Sequence, residues 1–302
     1  AKSIMPLLSE HGNNITLNEK LFARIKAVYD QKDQANLTPE QNKLLEKVYN
    51  SFVRSGANLE GEAKEQYRAL SKELSLLTLQ FGENNLKETN DYKLVLTDPA
   101  QLAGLPQSAI DAAAETAKEK GVEGWVFTLQ APSYSPFMTY ASNRDLRCKL
   151  YMAYNTKCTH DNETNNLEIV KKLVNTRLAI AQLLGYSSFA EYNLQERMAE
   201  NSGNVYKLLD QLLDAYTPTA KQEYAEVEAL ARQLEGSDFT VMPWDWSYYS
   251  HKLKDQKFQI DDEMLRPYFE LSKVKEGVFG LATRLYGITF KKNSDIPVYH
   301  KD

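Results

Sequence analysis

The sequence predicts a mainly α-helical fold, a multi-helix assembly with a small β element, and three observations carry that prediction. Ala63, Tyr67, Leu70, Leu74, Leu77 and Phe81 step by four and three in alternation, which draws one narrow apolar stripe along a long helix. Helix-starting and helix-stopping signals punctuate most of the chain. Strand-like runs rich in aromatic and aliphatic residues are few and short.

Taken in order, Thr38-Pro39-Glu40-Gln41 places a capping hydroxyl before a proline at the first helical position and a capping-box glutamine. A helix therefore runs through Leu44, Leu45, Val48 and Phe52 to about Gly56. The 63–81 stripe follows and demands another helix beside it. Residues 92–97 and 125–129 read as two strands, the second announced by Gly121 and Gly124, and an alanine-rich helix at 102–120 joins them after Pro99 and Pro106. Pro132 and Pro136 predict a loop, and residues 137–157 a helix through Tyr140, Leu146, Leu150 and Tyr154.

The polar run 159–166 predicts a surface loop. Helix resumes at Leu167 and stops at Gly185, and Ser188 with Glu191 predicts a second capping box. Residues 205–236 form a long helix in which Pro218, lacking an amide hydrogen for the carbonyl of Asp214, predicts a kink or a split. A last helix carries Val274, Val278, Leu281 and Leu285 and ends at Gly287. Residues 288–290 and 296–299 then read as two short strands without partners, as in a domain cut through its middle. The expected organisation is a helical lobe over 1–200, with a β insertion around 91–130, and a helical segment over 201–302.

At 302 residues the chain is long enough for one large or two medium domains. Lys and Arg number 36 against 41 Asp and Glu, a net charge of −5 with the signs interspersed, so there is no basic block for nucleic acid. No apolar stretch approaches the ~20 residues of a membrane span. Ala1 is no initiator, and residues 4–8 are too short an apolar run for a signal peptide, so any targeting segment is expected upstream. Cys148 and Cys158 are expected about 15 Å apart along a helix, beyond the roughly 7 Å a disulfide allows. Two unpaired thiols favour a reducing compartment, and the expected location is cytoplasmic, with the periplasm as the alternative if a signal lies upstream.

Catalytic constellations are missing from the sequence. A thermolysin-type zinc site needs two histidines one helical turn apart with a glutamate as general base. None of His11, His160, His251 and His300 has a second histidine within five residues. His160 and Glu163 stand three apart, but their polar setting reads as a solvated turn. Gly-x-Ser-x-Gly elbows and glycine-rich phosphate loops are absent. No catalytic or metal-binding residue is assigned.

Two clusters remain. Trp244, Asp245, Trp246, Tyr248 and Tyr249 crowd aromatic rings around one carboxylate. They read first as packing at a helix start, with Asp245 capping or holding an indole or phenol, and second as the wall of a channel that grips extended peptide. Asn143, Arg144 and Arg147 put two guanidiniums on one helical face. They suit a substrate carboxylate, but more simply an ion pair with Asp145 or a distant glutamate. These eight residues are the substrate-channel candidates.

Pro243-Trp244-Asp245-Trp246-Ser247-Tyr248-Tyr249, then Arg266-Pro267-Tyr268-Phe269 and Ile296-Pro297-Val298-Tyr299-His300, resemble in order and spacing a known family. So do Ser9-Glu10-His11, Leu21 to Ile25, Gly124 to Leu129, Pro136-Phe137-Met138 and Leu183 to Tyr186. The family is the thimet-oligopeptidase-type zinc metallopeptidases, closest to the peptidyl-dipeptidase (dipeptidyl carboxypeptidase) branch, and the likeness falls upstream of its zinc site. The resemblance implies one half of a two-lobed helical peptidase enclosing a deep channel, truncated at its C-terminus. It implies a parent that hydrolyses short unstructured peptides, releasing C-terminal dipeptides, with one zinc held by two histidines and a glutamate. Those ligands would lie in a missing C-terminal catalytic domain, so the chain alone is expected to hold no zinc and cleave nothing. The rival reading is a non-enzymatic helical scaffold that binds a peptide or protein.

Overall fold

The third helix begins where its capping chemistry says it should. Thr38 Oγ1 accepts from the Gln41 amide at 3.3 Å, and the Gln41 side chain accepts from the Thr38 amide at 3.0 Å. The computed structural model of the chain describes residues 3–260 and 262–299. Within them lie α1 (Met5–Thr16), α2 (Glu19–Asp30), α3 (Pro39–Arg54), α4 (Gly61–Asp91), β1 (Leu94–Leu96), α5 (Gln107–Glu119), β2 (Trp125–Phe127), α6 (Ala131–Tyr140) and α7 (Arg144–Asn155). They are followed by α8 (Leu167–Leu183), α9 (Phe189–Leu194), α10 (Ser202–Glu235), α11 (Trp246–Phe258), α12 (Asp262–Leu265) and α13 (Leu271–Tyr286). The fold is mainly α with a small β element.

The long stripe found its helix. Tyr67 packs near Ile180 toward the start of α4, and Leu77 near Ile169 and Leu173 midway along it, so α4 and α8 run antiparallel, with α1 also packed on α4. Helix α8 stops as predicted: Gly185 is left-handed at φ 88°, the Gly185 amide donates to Gln182 and the Tyr186 amide to Ala181, which satisfies the last free carbonyls. The 159–166 loop is fastened to α4 by Glu88, which accepts from the Cys158 amide at 2.7 Å and from Thr164 Oγ1 at 2.9 Å.

The two strands pair antiparallel, Val95 opposite Val126, across the excursion through α5. Gly124 is indispensable there: φ is 93°, and a Cβ would stand 2.1 Å from the Leu96 carbonyl oxygen. A second core collects the inner face of the pair, Leu94, Leu96 and Phe127, with Phe137 and Met138 of α6 and Leu150 of α7. A third joins Val227 and Ala231 of α10 to Val241, Tyr248 and Tyr249.

Five expectations are corrected. Pro132 and Pro136 lie in helix α6, not in a loop: Pro132 falls in the first turn, where amides have no helical partner. The helix expected over 137–157 is instead broken at 141–143, because Asn143 caps a new helix. At α9 only half of the capping box forms: Ser188 Oγ accepts from the Glu191 amide at 3.1 Å, while the Glu191 carboxylate turns to Ser202. Residues 288–290 and 296–299 form no strand, since a strand exists by its ladder and neither has an edge to pair with. Pro218 does not split α10, which continues through it.

Candidate functional site

The two clusters singled out in the sequence are one object. Asn143 Oδ1 accepts from the Leu146 amide at 3.1 Å, and this cap starts α7 so that Arg144 and Arg147 emerge on one face, a turn apart. From the far end of the chain, a 3-10 turn at Pro243–Asp245 leads into α11, and Asp245 Oδ2 accepts from the Met242 amide at 3.0 Å. That fold-back aims the Asp245 carboxylate at α7.

Both arginines meet it there. Arg144 donates through Nη2 at 2.7 Å and through Nε at 3.1 Å to both carboxylate oxygens, and Arg147 donates through Nη2 at 2.9 Å. Other donors go to backbone oxygens. Arg147 Nη1 reaches Ala141 at 2.8 Å and Ser142 at 3.2 Å, its Nε reaches Trp244 at 3.3 Å, and Arg144 Nη2 reaches Thr240 at 2.9 Å. Aromatic faces close the sides: Arg147 lies 4.1 Å from the centre of the Tyr248 ring and Arg144 4.3 Å from that of Phe239.

Asp245 is 0% exposed and Arg147 1%. Burial works against a charged Asp245, yet the hydrogen bonds from Arg144, the Met242 amide and Arg147 outweigh it and hold the carboxyl below the usual aspartate range. Burial, then the bond from its hydroxyl to Glu235 at 2.9 Å, pushes the Tyr249 phenol up, so it stays neutral. A fully satisfied buried charge cluster of this kind fixes one arrangement of its elements, and removing one member leaves an unpaired charge at a cost of about 3–5 kcal/mol.

The eight candidates therefore divide. Asn143 is spent on a helix cap, Arg147 and Asp245 on each other, and Tyr248 and Tyr249 on the third core. Trp244 is half-buried against the second core. Arg144, whose side chain is 40% exposed, and Trp246, 39% exposed and stacked on Tyr224, keep surface toward solvent. Asp245 caps the 3-10 turn through the Met242 amide, as one reading expected, but holds no ring, and the arginines' partner is neither Asp145 nor a glutamate. Its position about a hundred residues away is invisible to local pattern. The one available signal was an isolated acid among aromatics in a chain with two clustered arginines elsewhere.

The described residues offer no ligand set for a zinc ion. Among the described residues no three His, Cys, Asp or Glu side chains converge as ligands. His160 Nε2 stands 3.8 Å from Glu88, while Glu163 turns to Lys87 at 3.2 Å. His300 lies outside the described residues. Cys148 and Cys158 are both free thiols, as expected. No helix among the described residues is long and apolar enough to cross a membrane. An open cavity of about 390 Å³ between α5, β2 and α6, lined by Asn90, Ala112, Thr116, Lys120, Thr128 and Ser133, lies apart from the arginine cluster.

The described residues form a mainly helical body with a buried arginine–aspartate tie, and comparison with known proteins gives the chain a family. The sequence model of Peptidase family M3 matches residues 137–302. Oligopeptidase A of Escherichia coli (strain K12) is 36% identical over 302 residues, 99% of this chain and 44% of the relative. Dipeptidyl carboxypeptidase of the same organism is 35% identical over 297 residues, 98% of this chain and 44% of the relative. Saccharolysin of Saccharomyces cerevisiae is 26% identical, covering 98% and 42%. The chain belongs to peptidase family M3, and it spans less than half the length of these relatives.

Proposed function

We propose that these residues are the non-catalytic helical part of a zinc metallopeptidase of the peptidyl-dipeptidase or oligopeptidase type, which hydrolyses short unstructured peptides and releases C-terminal dipeptides. Residues 1–200 form its helical lobe and the hinge side of the substrate channel, and 201–302 lead toward the catalytic portion that carries the metal. The observation that supports this reading best is the unbroken similarity, 36% and 35% identity along essentially the whole chain, to an oligopeptidase A and a dipeptidyl carboxypeptidase of which the chain spans 44%.

Zinc would supply a polarised carbonyl and an activated water, and its ligands would come from outside these residues. This chain's own part is to shape the channel. Arg144 and Trp246 are the residues through which it would touch peptide, an exposed guanidinium for a carboxylate and an indole face for an apolar side chain. Asp245 and Arg147 hold both in place.

Two measurements test the reading. The purified chain is expected to leave an internally quenched peptide intact with or without added zinc, and chelator-sensitive hydrolysis would overturn that. A chimera in which these residues replace the 44% of Escherichia coli oligopeptidase A that they match is expected to cleave the same peptide. A well-folded chimera that binds zinc and cleaves nothing would favour the peptide-binding scaffold.

A further inference from the structure

The alanines of α5 leave a hollow that larger side chains would close. Ala109, Ala112, Ala113 and Thr116 line it from α5, and Lys120 lines it from just past the end of that helix. Ala113 and Phe127 are buried and give it an apolar floor. Its volume of about 390 Å³ lies toward the lower end of the ~300–1,000 Å³ typical of small-molecule sites. The occupant it suits is therefore small.

Hydrogen bonds fix the walls in advance. Gln130 Nε2, at the start of α6, donates to Asn90 Oδ1, at the end of α4, at 2.8 Å. The Thr128 amide donates to Ser133 Oγ at 2.9 Å and the Gln130 amide to Thr128 Oγ1 at 3.3 Å. Those bonds leave the Asn90 side-chain N–H groups and the Gln130 side-chain carbonyl open, a donor and an acceptor side by side. Together they match one amide group.

Charge narrows the ligand further. The chain as a whole is acidic, with 41 Asp and Glu against 36 Lys and Arg, yet no acid lines this cavity. Lys118 is held by Glu115 at 3.3 Å, whereas the half-buried Lys120 has no carboxylate partner among the described residues. On the rim, Lys157 donates to Thr89 Oγ1 at 3.3 Å and lies over the Tyr154 ring, again away from any acid. A half-buried ammonium without a counterion favours an anionic ligand. One ammonium without an arginine fork suits a monocarboxylate better than a phosphate. With no acid to receive it, a free amino group on the ligand would go unpaired, so the ligand's nitrogen is acylated.

We propose that this cavity binds an N-acyl amino acid with an apolar side chain, either free or as the last residue of a peptide. Lys120 takes the carboxylate, Asn90 and Gln130 take the acyl amide, and Ala112, Ala113 and Phe127 take the side chain. The inference concerns binding alone and stands whether or not the proposed function does.

Titration of the ¹⁵N-labelled chain with N-acetyl-leucine tests it. Saturable amide shifts are expected in segments 109–120 and 127–133, half-complete at about 1 mM or below. N-acetyl-leucine amide, which lacks the carboxylate, and free leucine, which has a bare ammonium, should each bind at least about tenfold more weakly. Lys120→Met should weaken N-acetyl-leucine by about tenfold and Lys118→Met should leave it unchanged. Ala112→Phe fills the hollow from an exposed position and should abolish the shifts. If that variant does not fold, Lys120→Met decides.

A pentapeptide ending in leucine separates the two sources. Affinity equal to that of N-acetyl-leucine assigns the cavity to peptide ends, and affinity about tenfold lower assigns it to the free N-acyl amino acid. The proposal is overturned by the absence of saturable shifts up to about 10 mM, or by equal binding of the amide. Shifts that persist in folded Ala112→Phe, or inorganic phosphate saturating the same amides as tightly, also overturn it.

Discussion

Helices α8 and α13 are close to the same length, 17 and 16 residues, and carry the same stripe. Ile169, Leu173, Thr176 and Ile180 step by four, three and four, and so do Val274, Val278, Leu281 and Leu285. On α8 every one of those residues is buried, and on α13 none is. The difference is whether the described residues cover the stripe. The stripe of α8 meets α4, whose own stripe lies about a hundred residues upstream in the same chain, whereas α13 has no such counterpart among the described residues. A periodic apolar stripe thus forecasts that a partner exists, and it is silent on whether the same stretch of chain supplies it.

The sharpest way to break that contrast is to remove a residue whose partner is certainly in the chain. Asp245→Ala leaves Arg147 buried and unpaired and is expected to destabilise the chain by about 3–5 kcal/mol in a denaturant melt. A loss under about 1 kcal/mol would mean that the arginines find other acceptors and that the tie does not hold α11 to α7. Next in size comes the comparison itself. Leu173→Ala should cost about 2–5 kcal/mol through the cavity it opens, and Leu281→Ala no more than about 0.5 kcal/mol in the isolated chain. Equal costs would show that α13 is packed after all.

Acid offers a gentler perturbation of the same tie. Asp245 titrates below its unfolded value of about 3.9, so its contribution to stability is complete above about pH 4 and is lost as the pH falls through the lowered value. Asp245→Asn should flatten the pH dependence of the melt over that acid window, and an unchanged slope would remove Asp245 as its source. The smallest effect expected is chemical. Burial, with Glu88 beside it, pushes the Cys158 thiol up to about 11, so at pH 8 iodoacetamide should label the half-buried Cys148 well before Cys158, as read by peptide mass mapping. Equal labelling would mean that the loop over 156–166 opens freely.

How much of this was legible in the sequence follows from the range of the interactions. Caps, proline positions and stripes act within four residues, and so the starts of α3 and α8, the stop at Gly185 and the strand pair around Gly124 were all readable. What failed depended on distance. Pro136 looked like a loop residue because its tolerance inside α6 comes from the second core around Phe137 and Met138. The strands expected over 288–299 failed because a ladder needs an edge that the pattern of one segment cannot reveal. At the candidate site all eight residues were singled out, yet their union was not, because the bond from Arg147 to Asp245 spans 98 positions.

Pro218 gives α10 a mechanical character. The helix runs 34 residues, anchored from Val227 onward and bare before the proline. Its sixteen residues ahead of Pro218 make an arm of about 24 Å at 1.5 Å per residue, pivoting where the carbonyl of Asp214 has lost its backbone donor. A tilt of about 10° at that joint would swing Tyr206, about 18 Å away, by roughly 3 Å, about half the rise of one helical turn. Whatever grips the far end of this arm is therefore coupled, through a soft elbow rather than a stiff rod, to the core that holds Tyr249 and the arginine tie.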